Sequence, residues 1–299
     1  MTQSYSAAET VDDALTALAS GARPVAGGTD LVVGARQGKA PLPASIVAIH
    51  RLAELGGIQP DGDTLRLGAL TTHEEIAEHP LVLARLTALA DASGIVGSHA
   101  TRAQGTVGGN LMNASPAMEI GGPLIGFGAT VTLRSQGGER SVAAAELVAG
   151  PGSTTARADE LLTEVAVPLP ADGTGSCYAR LEYRQQMEIA VVGATAVVTF
   201  AGDRVAAARV AITALAPTIR LVPEAEAALV GSDGGQAACR LAAQAAGAAS
   251  EPISDVRASD DYRRAMAAVL TRRAIEAAVA RARGVSIPVP ASRFLYAAG

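Results

Sequence analysis

Val11, Ala14, Leu15 and Leu18 recur at helical spacing behind Thr10, a residue suited to an N-cap, and Gly21 closes the run. The pattern predicts a helix there, then a short strand over 23–26, a short helix over 31–36 and a strand over 45–49. Together they form a small α/β unit with a glycine-rich crossing from strand to helix. From Gly56 the texture changes. Residues 65–67 alternate as a strand does, and Thr72-His73-Glu74-Glu75 has the Thr-x-x-Glu form of a capping box. Residues 81–92 read as a second helix. Residues 94–110 hold five glycines and little periodicity, which predicts mostly loop. Residues 130–133 and 140–142 flank Gln136-Gly137-Gly138, a hairpin signal, and 161–167 reads as a strand ahead of Pro168 and Pro170.

Residues 168–175 are the best linker. Beyond them, 177–184, 189–200 and 204–215 are strand-like, with Ala201-Gly202-Asp203 turning the last two. Helices are expected over 222–229, 236–246 and 259–283, with Gly247 as the stop of the middle one. The simplest arrangement is a three-stranded antiparallel sheet with helices on one face. The last helix opens on Asp260 and Asp261 and closes on Arg281 and Arg283, which suits its dipole. Its Arg263, Arg264, Arg272 and Arg273 read as a solvated or intersubunit face.

Composition narrows the function classes. The chain has 299 residues, 49% hydrophobic but only 3% aromatic, so its core must be aliphatic and rich in alanine. A net charge of −5 argues against a general nucleic-acid binder. Lys39 is the only lysine, which leaves little room for Schiff-base or P-loop lysine chemistry. Cys177 and Cys239 are too few to ligate an iron–sulfur cluster or a multi-cysteine zinc site, and they fit a reducing compartment. Residues 1–13 lack the basic and apolar regions of a secretion signal, and the longest apolar stretch, 190–200, is too short to span a bilayer. The expectation is a cytoplasmic protein with no membrane span.

No Gly-x-Ser-x-Gly, His-Glu-x-x-His or post-strand Gly-x-Gly-x-x-Gly occurs, and residues 34–39 fall one short of a P-loop. His50, His73, His79 and His99 share no ligand-like spacing and read as surface or packing residues, so no metal site is expected. Two glycine-rich segments remain. One is Val25, Ala26, Gly27, Gly28, Thr29, Asp30 and Leu31. The other runs from Gly105 through Thr106, Val107, Gly108, Gly109 and Asn110 to Ser115. Consecutive glycines let a backbone approach a ligand closely, while Thr, Asn and Ser supply short polar groups. A chain with a single lysine could bind a diphosphate this way, through amides and a helix N-terminus. Taken only as residues, two tight turns would look the same.

Ala26-Gly27-Gly28-Thr29-Asp30-Leu31, Thr106-Val107-Gly108-Gly109-Asn110 and Ala114-Ser115-Pro116 resemble the FAD-binding medium subunit of the molybdenum hydroxylases. That family includes xanthine dehydrogenase, carbon monoxide dehydrogenase and 4-hydroxybenzoyl-CoA reductase. Leu67-Gly68-Ala69-Leu70-Thr71-Thr72-His73, residues 160–164, and Asp255 to Ser259 with Tyr262-Arg263 and Arg272-Arg273 extend the resemblance in order from about residue 10 to 285. It implies a mixed α/β (α+β) fold with a PCMH-type FAD-binding domain over 1–172, in subdomains of about 1–55 and 56–172. A C-terminal domain over 173–299 carries the small antiparallel sheet. It also implies noncovalent FAD, with the diphosphate on 26–31 and on Thr106, Gly108, Gly109 and Asn110. Ser115 and Glu119 would lie nearby, Leu161 near the adenine or ring edge, Ile189 over one flavin face and Arg180 at a polar edge. Glu119 stands where Asp is usual, and Ser98-His99-Ala100-Thr101-Arg102-Ala103 departs from the family's usual run. Ala26 to Asp30 leans towards the xanthine and hydroxybenzoyl-CoA branches rather than the carbon monoxide branch.

The resemblance implies an electron-transfer subunit. Substrate would be oxidised at a molybdenum cofactor in a large partner subunit, and electrons would pass through [2Fe–2S] clusters of a small one to this FAD and on to an external acceptor. The assembly would be a dimer of heterotrimers. With no substrate site in view, no catalytic residue is expected in this chain. One alternative is a self-contained FAD oxidoreductase, which needs an acid or base near the flavin, for which Glu119 and Tyr183 are the candidates. Another is a structural subunit that has lost FAD.

Overall fold

The computed structural model describes residues 4–184 and 186–297. The first unit contains β1 (Ser4–Ala7), α1 (Val11–Ala19), β2 (Arg23–Val25), α2 (Leu31–Arg36) and β3 (Ser45–Ala48). Its three strands are parallel in the order β1-β3-β2, and β1 is an element that the sequence pattern does not announce. Thr10 accepts from the Asp13 amide while the Asp13 carboxylate accepts from the Thr10 amide, a reciprocal cap that fixes where α1 begins. α1 then buries Val11, Ala14, Leu15 and Leu18 against Val47, Ile49, Leu52 and Leu55.

The second unit begins with a hairpin of β4 (Ile58–Asp61), also unannounced, and β5 (Thr64–Gly68). It continues through α3 (His73–Glu78), α4 (Pro80–Arg85), α5 (Thr87–Ser93), α6 (His99–Arg102), α7 (Val107–Asn113) and α8 (Gly121–Gly126). β6 (Thr130–Ser135), β7 (Gly138–Ala143), α9 (Ala144–Leu147), β8 (Val148–Gly150), β9 (Ser153–Thr154) and β10 (Leu161–Pro168) complete it. An antiparallel sheet runs β4-β5-β10-β6-β7. Leu65, Leu67, Val131, Leu133, Val165 and Val167 point from it into a core shared with Ile76, Leu89, Val107, Leu111 and Leu124 of the helices. Burying each such side chain contributes about 1.5–3 kcal/mol, so a one-residue slip of any strand would forfeit several of them at once.

One expectation fails here and another is incomplete. The helix expected over 81–92 is broken at Leu86 (φ −126°, ψ 45°) into α4 and α5. Residues 94–110, expected as mostly loop, also carry α6 and the first turn of α7, because Ser98 and Thr106 cap them. Capping by Thr72 and Glu75 places α3 where the sequence motif predicts.

The third unit is the sheet β11 (Thr174–Leu181), β12 (Val192–Ala201), β13 (Arg204–Thr213) and β14 (Arg220–Leu221), antiparallel in that order and so of four strands rather than three. α10 (Pro223–Leu229), α11 (Gln236–Ala248), α12 (Asp260–Ala282) and α13 (Ala291–Ala297) follow. Cys177, Ala179, Ala194, Ala196, Val210 and Ile212 pack with Leu270, Ala274, Ile275 and Ala278 of α12. The alternate residues Tyr178, Val197 and Ala211 join the core of the second unit instead. The sheet is thus buried on both faces, with α5 and α8 covering the side expected to be open. The near-continuous apolar run of β12 follows from that.

Gly247 does not stop α11. It lies within the helix and faces α12, where a Cβ would meet Ala268 Cβ at 3.5 Å and Arg264 O at 3.6 Å, ordinary van der Waals contact. The arginine face of α12 also divides. Arg264 and Arg272 are exposed, whereas Arg263 is buried and donates to Val191 O at 2.7 Å. Arg281, expected only to balance the dipole, grips the fully buried Asp91 of α5 through both guanidinium nitrogens at 2.6 and 3.1 Å. Asp91 also accepts from the amides of Tyr178 (3.2 Å) and Ala291 (2.8 Å). Burial raises the Asp91 carboxyl and Arg281 offsets part of that rise. This pair locks α5, β11, α12 and α13 together. Removing one partner of such a pair costs about 3–5 kcal/mol. Among the described residues no helix is long and apolar enough to cross a membrane.

Candidate functional site

The first glycine segment leaves β2 at Val25 and enters α2 at Leu31. Gly28 has φ +69°, a left-handed conformation that turns the chain at little cost only for glycine. The six consecutive amides of Ala26 to Leu31 donate to no acceptor among the described residues. Unbonded amides in succession around a left-handed residue form a concave donor surface suited to an anion.

The second segment packs against its back. A Cβ on Gly27 would overlap Gln104 O, so the two backbones touch. A Cβ on Gly105 would stand 3.5 Å from Thr29 Oγ1 and 3.3 Å from His73 Cδ2. The seam between the segments therefore gathers Gly27, Thr29, Gly105 and His73.

Five of the six amides of the second segment, by contrast, are already bonded. Gly105 donates to Thr101 O (2.7 Å), Val107 to Thr71 O (2.9 Å), Gly108 to Ala69 O (2.9 Å) and Asn110 to Thr106 O (2.9 Å), while Gly109 donates to the capping Thr106 Oγ1 (3.1 Å). The amides open to a diphosphate are thus mainly those of the first segment, with the Thr106 amide beside them. Beyond that, the second segment offers side-chain chemistry. Among the described residues Asn110 Oδ1 is buried without a partner, and a buried polar atom in that state costs about 1–3 kcal/mol unless a ligand satisfies it.

Past α7, Ala114 adopts a left-handed conformation and Ser115 Oγ accepts from the Ala117 amide at 3.2 Å. The turn is anchored to the third unit by the Ala214 amide, which donates to Pro116 O at 2.8 Å. Glu119 follows, buried, and meets Arg180 of β11 at 2.6 Å. Arg180 is wholly buried, pairs with Glu182 as well and donates to Glu188 O at 3.3 Å. Burial raises the Glu119 carboxyl, and the Arg180 charge offsets part of that rise. Burial by itself would lower Arg180, but Glu119 and its other neighbours outweigh it and keep the guanidinium protonated. Arg180 is therefore a compensated buried charge bracing Glu119.

Ile189 is 45% exposed ahead of β12, so it is not the core residue that its apolar neighbours suggest. Leu161 is buried in the core of the first unit, against which the partly buried Ala26 also packs. Tyr183 is exposed and its hydroxyl donates to Arg257 O.

Sequence reasoning missed Glu182, Asp91, Arg281 and the placement of His73. A signal existed for two of them. Arg180 and Glu182 share a strand face at i, i+2, and Asp91 interrupts an otherwise small and apolar helix.

Comparison with known proteins places this arrangement. Residues 1–170 match the family model described as FAD binding domain in molybdopterin dehydrogenase, and 177–278 match the CO dehydrogenase flavoprotein C-terminal domain. The chain belongs to this family. The carbon monoxide dehydrogenase medium chain of Hydrogenophaga pseudoflava is 33% identical over 280 residues, covering 93% of this chain and 97% of the relative. The putative xanthine dehydrogenase FAD-binding subunit of Escherichia coli K12 is 29% identical, covering 94% and 97%.

Among solved structures, carbon monoxide dehydrogenase of H. pseudoflava lacking the Mo-pyranopterin moiety superposes with TM-score 0.90 at 33% identity, covering 94% of this chain and 98% of the other. Quinoline 2-oxidoreductase of Pseudomonas putida 86 gives 0.88 at 29%, with the same coverage. Identity over the whole chain does not follow the first segment's lean away from the carbon monoxide branch. It is higher to that branch's medium chain than to the xanthine dehydrogenase subunit. Both glycine segments lie within residues 1–170, the span matched by the FAD-binding model.

Proposed function

We propose that this chain is the FAD-bearing electron-transfer subunit of a molybdenum hydroxylase, working between a large molybdenum subunit and a small [2Fe–2S] subunit. The observation that carries this reading is the run of six unbonded amides over Ala26 to Leu31, backed by the second segment. Bound FAD would supply a carrier that takes electrons from iron–sulfur clusters and releases them to an external acceptor. The chain's own residues bind and orient it noncovalently. The amides of 26–31 and the Thr29 hydroxyl hold the diphosphate, Asn110 offers its unsatisfied Oδ1, and Ser115 and Glu119 lie on the turn that follows. Leu161 supports the wall beneath Ala26, and the exposed Ile189 covers one face of the ring. Arg180 holds Glu119 in place.

Domains follow the same division, with 1–172 carrying the cofactor and 173–299 bracing it. The partners assemble as a dimer of heterotrimers in the reducing cytoplasm. Cys177 and Cys239 are both buried and unpaired, and burial pushes both thiols up, so neither is poised as a cluster ligand.

The purified chain should show flavin absorbance at one FAD per chain and oxidise no aldehyde or heterocycle alone, while co-purified with its partners it should do so. Flavin absence would sink the cofactor assignment. Turnover by the isolated chain would instead make it a self-contained oxidoreductase.

A further inference from the structure

His73 is the first residue of α3 and is 1% exposed. Its amide donates to Gly105 O at 3.0 Å, which fixes the ring against the second glycine segment. The ring presents its Cδ2 edge to Gly105, 3.3 Å from where a Cβ would stand, and the hydroxyl of Thr29 lies 3.5 Å from the same point. Nε2 is bonded to Cδ2 and so belongs to that edge. Nδ1, on the other side of the ring, is buried with no hydrogen-bond partner among the described residues. Burial, with help from the Arg102 charge, lowers the imidazole to about 4, so it is neutral and carries a single N–H. With no acceptor at Nδ1 that N–H belongs on Nε2, at the Gly105 and Thr29 edge, and a packing role alone would leave it without a use where an aliphatic residue would serve better. A position at the seam of two segments that enclose an anion site gives the ring a use.

We propose that His73 is a cofactor-contact residue, whose neutral imidazole donates from Nε2 to a phosphate oxygen of FAD from the Gly105 side of the cradle. This rests on the reading of Ala26 to Leu31 as the diphosphate site. It adds a second side-chain donor, beside the Thr29 hydroxyl, to a site built mainly from amides, in a chain whose only lysine is Lys39. Neutrality suits the task, since a neutral donor can be buried with the fold before the cofactor arrives, whereas an unpaired imidazolium would cost far more to desolvate.

The test is titration of the deflavinated full-length chain with FAD, for wild type, His73→Phe, His73→Gln and His73→Asn, beside the thermal midpoint of each apo form. Phe keeps the ring shape and removes the donor. Gln places an amide N–H close to the position of Nε2, and Asn places one close to that of Nδ1. The expected result is a loss of about tenfold to a hundredfold in FAD affinity for His73→Phe and for His73→Asn, as a hydrogen bond to a charged group implies. His73→Gln should return to within about threefold of wild type, with apo midpoints that do not follow the affinities.

Equal FAD affinity in the Gln and Asn variants, or affinities that simply track the apo midpoints, would overturn the assignment. That holds even if His73→Phe fails to fold. Should wild type itself take up no FAD, the cradle reading fails rather than the histidine contact alone.

Discussion

The two glycine segments look alike in sequence and do opposite things. Ala26 to Leu31 keeps its amides unbonded around a left-handed Gly28 and presents them outward. Gly105 to Asn110 turns five of its six amides inward, to Thr101, Ala69, Thr71, Thr106 O and the Thr106 cap, and becomes the start of a helix. In the proposed site one segment is the binding surface and the other is the wall that holds it. Glycine content alone does not say which. What separates them is whether another backbone stands within hydrogen-bonding reach, and that depends on the hairpin end at Ala69 to Thr71, far away in sequence.

The sharpest way to break this contrast is Gly27→Val, which drives a side chain into the Gln104 backbone and parts the segments. Backbone cannot rotate aside as a side chain can. We expect complete loss of FAD and a destabilisation of about 3 kcal/mol or more, read from the flavin-to-protein absorbance ratio and a denaturant melt. Retained FAD would mean that the segments do not share one site.

Gly108→Ala probes the wall. Its Cβ would stand 2.8 Å from Ala69 O and 2.9 Å from Ala69 Cβ, so about 1–3 kcal/mol of stability should be lost. The protein that remains folded should still bind FAD within a few-fold. An unchanged midpoint with lost FAD would reverse the roles given to the two segments.

Gly28→Ala has room, since the nearest atoms are Val32 Cγ2 at 3.4 Å and Val25 Cγ2 at 3.6 Å, but it must adopt φ +69°. That costs about 1–2 kcal/mol, and FAD affinity should fall with it as the cradle relaxes away from the left-handed turn. The smallest effect should come from Thr106→Ala, which deletes one cap bond to the Gly109 amide and about 1 kcal/mol of stability. It frees an amide at the wall, so FAD affinity that rises in this variant would show the second segment able to act as the first does.

Much of the fold was legible where the causes are local. The caps of α1 and α3 lie within four residues of the helices they start, and both helices begin where Thr10 and Thr72 predict. Strands of the second sheet show their one-sided burial as alternation, and β12 shows its two-sided burial as a continuous apolar run. Where a distant partner decides, sequence reading failed. Gly247 has the form of a helix stop but is a contact point for α12, and Arg263 and Arg281 look like surface charge but reach Val191 O and Asp91. The ion pair of Arg180 with Glu119 is of the same kind, since the two lie 61 positions apart, whereas Glu182 stands two residues away in the sequence.

By itself, the sequence determined the periodic elements, the glycine turns, the lack of cluster-binding cysteines and the family. Each depends on residues near one another in the chain or on simple counts. Only the tertiary structure decided which amides stay free, which charges are buried in pairs and which face of the third sheet is covered. A hydrogen bond or an ion pair is made or withheld according to what stands within about 3 Å, and chain folding alone brings those atoms together.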